Sequence, residues 1–173
     1  MTNIVLVGVP GAGKTTVGRL LADQLGREFL DTDVEIERQT GKTVSEIFTE
    51  DGEATFRSLE AETIASALAD TNQVVSLGGG ALLNEQTRAL VAKQTAIWLV
   101  ASLASAVARV GLNRNRPLLL GNVRGQLSDL MLAREPLYRE VAKIEIETSA
   151  LSPEQVVAEI IKKLDLEGPD GSN

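Results

Sequence analysis

The segment Gly8-Val9-Pro10-Gly11-Ala12-Gly13-Lys14-Thr15 constrains this chain more than any other stretch of it. It matches the spacing G-x-x-x-x-G-K-[ST] and stands between a short β-branched run, Asn3 to Val7, and a helical pattern from about Lys14 to Leu25. Glycines let successive backbone N–H groups turn inward around a phosphate, and the following helix N-terminus adds a favourable dipole. Lys14 then reaches the β- and γ-phosphates, and Thr15 offers a hydroxyl to Mg²⁺. The sequence predicts a strand–loop–helix unit that binds a nucleoside triphosphate with magnesium. Gly11, Ala12, Gly13, Lys14, Thr15 and Thr16 are the expected nucleotide contacts.

Behind this unit, short apolar runs alternate with helical periodicity. Strands are expected at Arg27–Leu30, Gln73–Leu77, Ala96–Val100 and Ile144–Glu147. Helices are expected over Val34–Gln39, Glu53–Leu68 and Asn84–Ala92, from Leu103 onward, and over Leu127–Val141, where Pro136 should bend or divide the helix. Thr43 with Glu46 reads as a capping box for a short turn. Ser152, Pro153 and Gln155 open a last helix with Val156, Val157, Ile160, Ile161 and Leu164 on one face. Alternation of this kind implies a parallel sheet with helices on both faces. The reading is one α/β domain over residues 1–166, with a mobile lid at about 111–125 and a disordered tail at 167–173.

The chain holds no cysteine and no histidine, which excludes disulfides, thiolate chemistry, the usual zinc ligands and imidazole bases. No apolar run approaches the ~18 residues of a membrane span, and the N-terminal run leads into the phosphate loop rather than a cleavage site. A soluble cytoplasmic monomer is expected. The net charge of −7 argues against nucleic acid or anionic membrane as partner. From Arg109 to Lys143, however, seven basic residues face three acidic ones. That segment suits either a small-anion site or a solvated helix face.

A guanine-reading Asn-Lys-x-Asp is missing, and the third strand runs into Ser76-Leu77-Gly78-Gly79-Gly80 rather than an acidic residue. The magnesium carboxylate must then come from elsewhere, and Asp31 is the natural supplier. Strand alternation sets Asp31 and Asp33 about 7 Å apart and pointing the same way, so that at the carboxyl end of the second strand both are expected to face the phosphate loop. Asp31 would hold hydrated metal and Asp33 would take or orient the proton of a hydroxyl acceptor. The plainer alternative is a turn with an aspartate cap. Gly78-Gly79-Gly80 lets backbone approach a ligand closely. Arg57 and Glu60 lie one turn apart near this crevice, where an exposed i,i+3 pair is the alternative.

Taken together, GVPGAGKTT, LDTD, DGEATFRSLE, SLGGGA, NRPLL and REPLYREVA resemble the shikimate kinase family over nearly the whole chain. The resemblance implies a five-stranded, nucleoside-monophosphate-kinase-like fold and transfer of the ATP γ-phosphate to the 3-hydroxyl of shikimate. It implies that Asp33 contacts the reacting hydroxyl, that Arg57 and Arg134 clamp the substrate carboxylate, and that Gly79 approaches the ring. Arg116 would close over the phosphates from the lid, and Arg109 would lie against the adenine. Glu60, Phe48 and Phe56 match positions lining the acceptor pocket, although core packing accounts for the phenylalanines equally well. Ser149-Ala150-Leu151-Ser152 lacks the basic or long polar residue that often covers the adenine in this family. The rival readings are a gluconate or nucleotide kinase of the same fold, and an ATP-binding regulator. Asp-Thr-Asp without a histidine disfavours a gluconate kinase.

Overall fold

The uninterrupted apolar run Ile4–Val7 becomes β1, the central strand, with all four side chains buried. A computed structural model describes residues 2–111 and 122–166. The remaining strands are β2 (Glu28–Asp31), β3 (Gln73–Ser76), β4 (Thr95–Val100) and β5 (Ile144–Glu147). All pairings are parallel, in the order β2-β3-β1-β4-β5. Burial follows that order. β1 is apolar throughout and the other inner strands are buried along most of their length, whereas edge strand β5 buries Ile144 and Ile146 and exposes Glu145 and Glu147.

The helices are α1 (Lys14–Leu25), α2 (Thr32–Thr40), α3 (Val44–Glu50), α4 (Glu53–Ala69), α5 (Glu85–Ala92), α6 (Leu103–Gly111), α7 (Val123–Val141) and α8 (Pro153–Leu166). A 3₁₀ turn at Ala81–Leu83 follows β3. α1 packs with α8 beside the sheet, while α5 packs with α4 and α7. The chain leaves β1 toward β2 and leaves β3 toward β4, so the loops of these adjacent strands diverge and open a crevice at their carboxyl ends. Both the phosphate loop and the glycine triplet stand there. A smaller core of Ile36, Ile47 and Phe56 ties α2, α3 and α4 into a cap apart from the main core.

Several expectations need correction. The turn expected after Thr43 is a full helix, α3. The Thr43 hydroxyl accepts from Glu46 N at 3.1 Å, but the Val44 N–H goes to the Glu37 carboxylate at 2.9 Å. α7 begins at Val123 rather than Leu127, capped by the Asn122 side chain accepting from Gly125 N at 3.1 Å, so the helix takes in the end of the expected lid. Pro136 does not divide α7. It costs Leu132 C=O its helical partner, on a turn whose Leu132 is 72% exposed and where water can substitute. Residues 112–121, with Arg116, and the tail 167–173 lie outside the described residues. No helix among the described residues is long and apolar enough to cross a membrane.

The start of α8 is the reciprocal box read in the sequence: Gln155 N donates to Ser152 Oγ at 3.2 Å, and Ser152 N to Gln155 Oε1 at 2.8 Å. Ser152→Ala is expected to cost about 1 kcal/mol, seen as a fall of about 2–4 °C in thermal denaturation.

Candidate active site

Gly13, at φ 91°, caps α1 in the left-handed region that a side chain would oppose, and Gly11 shares it at φ 84°. This alternation turns the loop N–H groups toward one point, as an anion nest requires. Lys14 Nζ arches across the loop and donates to the carbonyls of Gly8 at 2.7 Å and Val9 at 3.0 Å. From α6, Arg109 Nη1 donates to Gly11 O at 3.0 Å and stands close over Gly13. Arg109 therefore adds its charge to the phosphate loop itself.

Asp31 does two things at once. As the last residue of β2 it caps α2, with Oδ1 accepting from Asp33 N at 2.9 Å and Val34 N at 3.3 Å. Its Oδ2 accepts from Thr15 Oγ1 at 2.9 Å. The plain capping reading and the metal-side reading are thus both compatible with the geometry. The strand alternation invoked for Asp33 is not: Asp33 lies in the first turn of α2, because the cap begins the helix straight after the strand. Thr32 between them is buried, its hydroxyl donating to Ser76 O at 3.3 Å and accepting from Gly78 N at 3.4 Å. A hydroxyl and a carboxylate oxygen held together at a phosphate loop suit Mg²⁺, which takes few protein ligands and completes its shell with water and phosphate.

None of Gly78, Gly79 and Gly80 has a positive φ. They are glycines because other side chains occupy their space. A Cβ on Gly78 would lie 2.8 Å from Asp33 Oδ1 and 3.1 Å from Glu60 Oε2. On Gly79 it would meet Pro10 and approach Arg134 Nη1 at 3.4 Å, and on Gly80 it would lie 2.5 Å from Arg57 Nη2. The triplet thus gathers Asp33, Arg57, Glu60 and Arg134, residues from three helices far apart in sequence.

Arg57 and Glu60 are not an exposed pair. Arg57 Nη1 meets Glu60 Oε1 at 2.9 Å, and the Glu60 side chain is only 4% exposed. The Arg57 guanidinium also covers the ring of Phe56, 5.3 Å from its centroid. Phe56 itself belongs to the satellite core, with Phe48 beside it at 4.8 Å between centroids, so packing accounts for both rings. Burial pushes the Glu60 carboxyl up to about 7; Arg57 opposes the shift and the Asp33 charge adds to it. Sequence reasoning missed Tyr138, whose hydroxyl donates to Gly79 O at 2.8 Å. Its spacing of four from Arg134 on one helix was the available signal.

The family model for shikimate kinase matches residues 10–165. The chain belongs to the shikimate kinase family. Among curated relatives, shikimate kinase of Thermobifida fusca is 54% identical over 164 residues, 95% of either chain. That of Saccharopolyspora erythraea is 50% identical over 161 residues, 92% of either chain. Among solved structures, shikimate kinase from Acinetobacter baumannii in complex with shikimate superposes with a TM-score of 0.94 at 39% identity, covering 98% of this chain and 96% of its own. Membership of the shikimate kinase family retires the gluconate-kinase, nucleotide-kinase and regulator readings.

Because the folded chain binds the Glu60 proton more tightly than the unfolded chain does, this group's contribution to stability is full below about 4.5 and is lost as pH rises through about 7. Glu60→Gln should abolish that falling limb. Urea denaturation of both proteins between pH 4.5 and 8 checks it: the difference between them should change with pH in this window and level off above it.

Proposed function

We propose that the chain transfers the γ-phosphoryl group of MgATP to the 3-hydroxyl of shikimate, giving 3-phosphoshikimate and ADP on the route to chorismate and the aromatic amino acids. The observation that carries this reading is the convergence of two carboxylates and two guanidinium groups on the glycine triplet, next to the phosphate loop. Shikimate has a carboxylate and three hydroxyls, so it needs guanidinium forks at one end and acceptors at the other.

In this reading Arg57 and Arg134 clamp the substrate carboxylate, and Asp33 receives the 3-hydroxyl. The hydroxyl oxygen forms the new bond to the γ-phosphorus as the bond to the β–γ bridging oxygen breaks. The hydroxyl proton passes toward Asp33, which orients the nucleophile even if the loose transition state demands little deprotonation. Lys14, Arg109 and the loop N–H groups stabilise the charge on the transferred group and the departing ADP. Thr15 and Asp31 would hold magnesium, whose charge would neutralise that of the phosphates. The protein works as a cytoplasmic monomer.

ADP release from MgATP should rise strongly with shikimate, and not with gluconate or nucleoside monophosphates; stimulation by another acceptor would discard the carboxylate clamp. Asp33→Asn should lose on the order of 10²–10⁴ in turnover while ATP binding persists. Replacing either clamp arginine by alanine should weaken shikimate binding by roughly 1.5–3 kcal/mol, read by calorimetry.

A further inference from the structure

Tyr138 is the single tyrosine of the chain and has no part in the phosphoryl transfer described above. It lies on α7 one turn beyond Arg134, and both side chains are buried. Its hydroxyl donates to Gly79 O at 2.8 Å, and the Arg134 guanidinium stands near enough to act on the phenol. A guanidinium, a phenol and a backbone carbonyl therefore stand together at Gly79, where the low local dielectric strengthens the phenol–carbonyl bond.

We infer that Tyr138 is a positioning residue for the acceptor, holding the Gly79 backbone and the Arg134 guanidinium in one frame. The inference rests on the proposed function, since it assigns the carboxylate end of the acceptor to Arg134.

Packing alone does not explain the hydroxyl. The Tyr138 ring lies 5.8 Å from that of Trp98, a contact phenylalanine would make equally well. The glycine triplet, by contrast, needs external support, since glycine backbone has the most freedom to lose. Gly78 O and Gly80 O accept from the nearby N–H groups of Ala81 at 3.1 Å and Leu83 at 3.2 Å. Gly79 O takes its hydrogen bond from a side chain of another element, and that side chain is Tyr138. Arg134 needs orientation too, because a planar fork binds a carboxylate in two parallel bonds only when its plane is fixed. Burial pushes the phenol up to about 12, so it remains an O–H donor at any working pH.

Tyr138→Phe removes the hydroxyl and keeps the ring. The KM for shikimate should rise about tenfold, with the KM for MgATP within about twofold of wild type. An unchanged shikimate KM overturns the inference, as does a parallel rise in both KM values with lowered stability, which would mean a structural role only. A second measurement spares the fold. With one tyrosine, biosynthetic 3-fluorotyrosine labels Tyr138 alone. Its ¹⁹F resonance in the labelled active enzyme should move on saturation with shikimate in the absence of nucleotide, and a resonance that stays put contradicts the inference. Wild-type protein without shikimate-stimulated ADP release would instead overturn the parent reading, and this inference with it.

Discussion

Two carboxylates and two guanidinium groups share the volume that three side chains would otherwise fill at the end of β3. That exchange of side-chain space for charge is the constraint on which the site depends. Buried charges persist only when paired, and Glu60 is paired with Arg57 at 2.9 Å while Asp33 and Arg134 stand near enough to influence it. With Glu60 near 7, the cluster gains net positive charge whenever that proton is bound, which favours an incoming carboxylate. A side chain on Gly78 would displace Asp33 and Glu60, one on Gly80 would displace Arg57, and one on Gly79 would collide with Pro10.

The sheet brings the two halves of the reaction together. β1 and β3 are adjacent and their loops diverge, so the phosphate loop and the glycine triplet face the same crevice. β2 lies on the far side of β3 and delivers Asp31 to the Thr15 hydroxyl. Asp31 also starts α2, which makes Asp33 the second residue of the helix and sets it toward Gly78. One cap thus fixes the carboxylates of Asp31 and Asp33 relative to each other. The satellite core under α2, α3 and α4 holds Arg57 and Glu60 on the opposite wall.

Much of this was legible in the sequence, for physical reasons that can be named. The limits of α1 and the box that opens α8 follow from local chemistry: glycine at a left-handed cap, and a serine–glutamine pair exchanging backbone bonds. Asp33, Arg57, Glu60 and Arg134 lie together around the glycine triplet, a grouping implied by the family resemblance. The geometry behind Asp33 was not legible, because strand period and helix cap compete over two residues and the cap won. α3 was hidden because its capping is split between Thr43 and the distant Glu37. The early start of α7 was masked by Gly125, although Asn122 three residues before it was a sufficient cap. Tyr138 could not be read at all as a partner of Gly79, since that hydrogen bond spans 59 residues.

The central claim is that the glycine triplet sorts the acceptor, carboxylate toward the arginines and reacting hydroxyl toward Asp33. A crystal structure of the wild-type chain with shikimate and MgADP tests it most directly. The carboxylate should lie between Arg57 and Arg134, with the 3-hydroxyl within hydrogen-bond distance of an Asp33 oxygen and directed toward the phosphate loop. A shikimate bound with its carboxylate away from both arginines, or with a different hydroxyl at Asp33, would contradict the account.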